Sequence, residues 1–128
     1  FTLAFQNGWD KEAYTNGKIW QVATLRPGKY RLEVTYAYTM VVSDAGNFIS
    51  ALMAKGNSES DIPNVADIEQ LNGVCAIYDK AGTNDDSGIL VTPSFEVTET
   101  TDVVIGFLTS LAKGNSYFKV TELKLILE

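Results

Sequence analysis

Nine side chains in this sequence are of types that could hold a sugar: Trp9, Tyr14, Asn16, Asn84, Asp85, Asp86, Lys113, Asn115 and Tyr117. An aromatic ring offers a flat apolar platform to the C–H face of a pyranose, while amides, carboxylates and an ammonium give directional partners to its hydroxyls. The expected ligand-binding set is Trp9, Tyr14, Asn16, Asp85, Asp86, Asn115 and Tyr117. Plainer readings stand beside it: Trp9 as a cap over the core beneath a loop, and residues 84–88 as a solvated hairpin turn. Asn84-Asp85-Asp86-Ser87-Gly88 is rich in oxygen ligands suited to calcium, yet it lacks the alternating spacing of an EF-hand loop. Asp10, Asp44 and Asp85 or Asp86 could meet at one end of a fold. Sugar hydrolysis needs two carboxylates held about 5 to 10 Å apart, and nothing in this spacing marks a pair.

The chain has no histidine and one cysteine. Ser-His-Asp and Cys-His nucleophile pairs and His-bearing zinc sites are thereby excluded, and no catalytic residue is assigned. Cys75, in GVCAIY without a basic neighbour, reads as a small buried hydrophobe. A formal net charge of -6 with no two adjacent basic residues disfavours nucleic acid and anionic membrane surfaces as partners. No stretch approaches the roughly 18 apolar residues that span a bilayer, so membrane insertion by this domain is not expected. No secretory leader is read at the start, where residue 1 already belongs to a strand pattern.

The elements that would position these residues are strands. Residues 28–42, GKYRLEVTYAYTMVV, alternate over the longest run in the chain, with Tyr30, Leu32, Val34, Tyr36, Tyr38, Met40 and Val42 on one parity. Burial is worth at most ~1.5 to 3 kcal/mol for each such side chain, so the register there should be firmly set. Further strands are read at 1–6, 18–25, 47–54, 73–79, 89–97, 102–109 and 116–127. Residues 8–17 read as a loop, and Trp20, within the second strand, as core. Residues 55–72 form the longest connection, with a short helical turn or edge strand at 65–71. Arg26-Pro27-Gly28-Lys29 suits a type II turn, which splays a tight hairpin, so strands two and three are expected in different sheets. In the final strand the apolar parity switches around Thr121 and Glu122, which a bulge would explain.

About eight strands at this spacing predict a single domain over 1–128: an all-β antiparallel β-sandwich of jelly-roll type. If successive strands run up and down, residues 7–17, 43–46, 80–88 and 110–115 share one end, which gathers the nine residues named above.

The run KIWQVATLRPGKYRLEVTY, then MAKGN, TETTDVVIGF and GNSYFKVTELKL, resembles a domain of unknown function that closes many secreted or lipid-anchored Bacteroidetes proteins, often beside glycan-utilisation components. That family is similar to galactose-binding-like β-sandwiches, which include many carbohydrate-binding modules. The resemblance implies a non-catalytic carbohydrate-binding or glycan-associated accessory module in a larger secreted, periplasmic or outer-membrane lipoprotein. A glycan or oligosaccharide is then the expected partner. The alternative it leaves open is a structural or protein-interaction domain packing against a neighbouring domain or a partner lipoprotein. No cofactor is required, but galactose-binding-like modules often hold a structural calcium partly through an acidic residue of the last strand. By resemblance that residue is Glu122, for which the plainer reading is a surface glutamate paired with Lys119 or Lys124.

Overall fold

Sustained alternation of apolar and polar residues becomes strand, and each break in the alternation has a physical cause. The computed structural model describes residues 3–7, 13–80, 82, 84–112, 114 and 116–128. Among these lie nine strands: β1 (Leu3–Asn7), β2 (Tyr14–Leu25), β3 (Gly28–Thr39), β4 (Phe48–Lys55), β5 (Gly73–Ile77), β6 (Asp86–Val91), β7 (Phe95–Val97), β8 (Thr101–Leu111) and β9 (Ser116–Leu127). All pairings are antiparallel, in two sheets arranged as a sandwich. One has the order β1-β9-β3-β6, with β7 also on β3; the other has the order β2-β8-β4-β5. As the Pro-Gly turn predicts, β2 and β3 lie in different sheets. Among the described residues no helix is long and apolar enough to cross a membrane.

The strand expected over 89–97 is two strands. Pro93 has no N–H for the ladder, and the chain leaves the sheet between β6 and β7. Thr92 holds the break together: its N–H donates to the Leu32 carbonyl (3.0 Å), and its hydroxyl accepts from the Leu32 N–H (2.9 Å). The expected loop over 8–17 is also shorter, because Tyr14 already pairs with Leu111. A bulge between Tyr14 and Gly17 absorbs one extra residue, with Asn16 in the left-handed region (φ 55°) that asparagine tolerates.

The alternation of β3 holds from Tyr30 through Leu32 and Val34 to Tyr36, all buried, and then reverses. Tyr36 faces Gly88 and Thr39 faces Asp86, so β3 carries one residue more than β6 between these pairs. Tyr38 sits at this bulge with φ 52°. The expectation that Tyr38, Met40 and Val42 share the core face is therefore corrected: Tyr38 is exposed, while Thr39 and Val41 are buried. In β9 the switch of parity is a bulge as expected. Val120 faces Tyr36, Glu122 faces Thr35, and Thr121 is the additional residue.

The main core lies between the sheets, centred on Leu32, Val34, Tyr36, Ala51, Met53, Ile105, Phe107, Phe118 and Val120. Tyr36, Tyr78 and Phe118 form an aromatic trio with ring centroids 5.1 to 5.2 Å apart. A second cluster lies on the outer face of the other sheet, where Ile62, Val65, Ile68 and Leu71 cover Leu52, Val104 and Leu108. The long connection thus acts as a lid of short 3-10 turns, Glu59–Asp61 and Val65–Gln70. That is why β4 is buried on both faces from Ile49 to Ala54.

The lid begins at a tight turn built on Asp61. Its carboxylate accepts from the N–H groups of Asn57 (2.9 Å) and Ser58 (3.1 Å). Gly56, with φ +132°, leaves room for it, since a Cβ there would lie 2.1 Å from the Asp61 carboxyl carbon. The backbone donors hold the Asp61 carboxyl below its ordinary value of 3.8. A depressed pKa stabilises the turn fully above the ordinary value, and that contribution is lost as pH falls through the depressed folded value. In an acid titration followed by amide chemical shifts, the transitions of Asn57 and Ser58 should be centred below pH 3.8. Movement centred at or above 3.8 would contradict the turn's electrostatics.

Candidate functional site: a groove along one side of the sandwich

β1 accompanies β9 only from Asn7 opposite Ser116 to Leu3 opposite Val120. Beyond Val120, where β9 bulges at Thr121, no strand among the described residues lies on that side of it. The other sheet has β2 as its edge on this same side, paired along its length with β8. The two layers therefore gape, and a groove of ≈ 600 Å³ opens between them. Its floor is apolar (Leu3, Ile105, Phe107, Leu123), β2 contributes Ile19, Trp20 and Gln21, and the β9 bulge contributes Thr121 and Glu122. A smaller hollow of ≈ 290 Å³ continues the groove upward past Gln6, Tyr14, Lys18 and Thr109, with Ile19 common to both.

Local sequence explains the shape. Gly106 faces Trp20 across the ladder, and a Cβ there would lie 2.1 Å from the Ile19 carbonyl oxygen and 2.8 Å from the Trp20 Cα. Only glycine permits so close an approach of β2 to β8. Trp20, read from the sequence as core, is 39 % exposed, in company with Ile19 (43 %) and Val22 (44 %). At the upper end, the Tyr14 hydroxyl is 3.0 Å from Thr109 Oγ1. Burial pushes the Tyr14 phenol pKa up, partly opposed by that hydrogen bond, so it stays a neutral donor and acceptor at physiological pH.

The expected residues do not form one cluster. Trp9, Asn115, Asp10 and Lys113 lie outside the described residues. Tyr14 lines the groove, on a strand and not on the expected loop. Asn16 is bound into the fold: its Oδ1 accepts from the Val65 N–H (2.8 Å) and its own N–H donates to Ser110 Oγ (2.9 Å), tying the lid to the edge strand. Asp85 and Asp86 lie where β6 begins, at the opposite edge of the β1-β9-β3-β6 sheet. Asp85 is exposed, with φ 53°, and Asn84 is exposed too. Asp86 Oδ2 accepts from the Tyr78 hydroxyl at 2.7 Å. Tyr117 pairs with Gln6 on one side and bridges to Met40 on the other. Asp44 closes its own turn by accepting from the Gly46 N–H (2.8 Å).

Glu122 stands at the groove, 3.4 Å from the Lys124 ammonium, with both side chains 55 % exposed. No group of three or more His, Cys, Asp or Glu residues suited to a metal gathers among the described residues. One solvent-exposed carboxylate already beside an ammonium does not fit the six to eight oxygen ligands of calcium. Cys75 is half-buried, and burial pushes its thiol pKa up, away from the reactive thiolate.

Two aromatic positions escaped sequence reasoning. The parity of KIWQVATL is apolar on both faces, so only the sheet order shows Trp20 to be on an edge. Tyr38 leaves the core at a bulge that no local pattern announced.

No curated protein and no solved structure gives a significant match to the chain. A family model described as a domain of unknown function, DUF5013, matches residues 1–106, the stretch from before β1 into the middle of β8. The chain belongs to this DUF5013 family of domains of unknown function.

Proposed function

We propose that this domain is a non-catalytic carbohydrate-binding accessory module of a larger secreted or cell-surface protein, with the saccharide lying in the side groove. The observation that carries this reading is the groove's chemistry: an apolar floor, the exposed Ile19 of the edge strand, and a rim of Gln21, Thr121 and Glu122 to meet hydroxyls. Glu122 is the one carboxylate among the residues that line the two hollows. A glycosidase requires two, which favours binding over hydrolysis. Titration calorimetry of the ligands retained on a glycan array tests the proposal. Ile19→Ala should weaken binding by about tenfold or more, equivalent to ~1.4 kcal/mol. Because Ile19 is half exposed on an edge strand, the variant's thermal midpoint should stay close to that of the wild type. An array on which the wild type retains no saccharide would refute the proposal.

A second reading, a domain that packs against a neighbouring domain or a partner lipoprotein, is favoured by the exposed Val22 beside Trp20 on the outer face of β2. Under that reading Trp20→Ala weakens capture of the protein partner, and no sugar binds.

A further inference from the structure

Tyr38 occupies a place that packing does not explain. Its backbone is left-handed (φ 52°), a region in which the Cβ of a bulky residue crowds the following carbonyl. Its side chain is 63 % exposed, so burial gives nothing in return. The conformation is held from both sides: the Tyr38 N–H donates to Ser87 Oγ (3.3 Å), and the next residue, the fully buried Thr39, accepts from the Lys119 N–H (3.2 Å). Strained, over-determined residues of this kind concentrate at sites that bind.

The surroundings define what would bind. The Lys119 ammonium lies 5.6 Å from the centre of the Tyr38 ring and makes no salt bridge among the described residues. Tyr117 is two residues before Lys119, on the same face of β9, and exposed Gln6 is paired with it. Asp86, next to Ser87, is engaged by Tyr78. The patch is thus one ring, one ammonium and a few amides and hydroxyls, on a sheet face that also exposes Ile89 and Val91 of β6. One ring beside one ammonium matches a single sugar ring.

The geometry points to a second saccharide site, on the outer face of the β1-β9-β3-β6 sheet, that takes a pyranose bearing a carboxylate. The C–H face of the sugar stacks on Tyr38, and its carboxylate pairs with Lys119. In a chain of net charge -6 the long-range field repels such a ligand, so selectivity must come from this local ammonium at contact distance. The site stands apart from the side groove, and either can fail without the other.

Titration of the ¹⁵N-labelled domain with oligogalacturonate, and separately with neutral galacto-oligosaccharide, tests the assignment. Millimolar oligogalacturonate should shift the amides of Tyr38, Ser87 and Lys119, with little change at Ile19 and Gln21 in the groove. The neutral oligomer should bind the same patch more weakly. Lys119→Gln should remove the difference between the two sugars. Tyr38→Asn, which suits the left-handed backbone, should abolish both responses while the thermal midpoint stays equal to or above that of the wild type. Shifts confined to the groove would leave the proposed function standing and overturn this site. So would silence at the patch, or a Tyr38→Asn variant less stable than the wild type, since the ring would then be structural.

Discussion

Phe118→Ala is expected to destabilise the domain by about 3 to 5 kcal/mol in equilibrium denaturation, the range for deleting a buried phenylalanine. The ring is completely buried and stacks with Tyr36 and Tyr78 at 5.2 and 5.1 Å, so its removal strips contacts from both neighbours. It also stands on β9, the strand that joins β1 to β3. Domains of this size are stable by only about 5 to 15 kcal/mol, so the variant should lose much of its margin. A loss below about 1.5 kcal/mol would mean that the trio is not the packed centre described here.

Gly106→Ala should have the second largest effect, and it should be local. The added methyl would enter space occupied by the Ile19 carbonyl and the Trp20 backbone, atoms that cannot rotate away. Overpacking of this kind costs about 1 to 3 kcal/mol, and here it is relieved only if β2 separates from β8. Hydrogen exchange should therefore accelerate at the amides of β2 that pair with β8, while those between β4 and β8 keep their protection. Because Gly106 and its neighbours line the groove, saccharide affinity should fall with the loss of protection. Unchanged exchange in β2 would show that the strands are less closely apposed than described.

How much of this was legible beforehand differs from element to element. The alternation from Tyr30 to Tyr36 marked the central strand, because one face of it is polar throughout. Parity also disclosed the bulge at Thr121, since Phe118 and Val120 must face the same core as Leu123 and Leu125. Around Tyr38 the same test fails. Ala37, Tyr38, Thr39, Met40 and Val41 carry apolar groups on both parities, and the choice is made by pairing with a strand some fifty residues away. Residues 89–97 read as a single strand although Pro93 lies within them; the two halves on either side of it each pair with β3. The site was least legible. A groove between sheet edges depends on which strands end a sheet, a matter of long-range order that local composition does not encode. Of the expected rim, described residues near 41–47, Gly82 and Ala112 do come together, but the described residues that were to form a single cluster are divided between the side groove, the turn around Asn16 and the far edge at Asp86.

β9 is the last of the described strands, yet it lies between β1 and β3 rather than at a margin. During synthesis β1 and β3 emerge early and have no mutual ladder to form; each must wait for residues more than eighty positions downstream. Folding should consequently be slow and of high contact order, with two unsatisfied strand edges open to intermolecular pairing until β9 has been made.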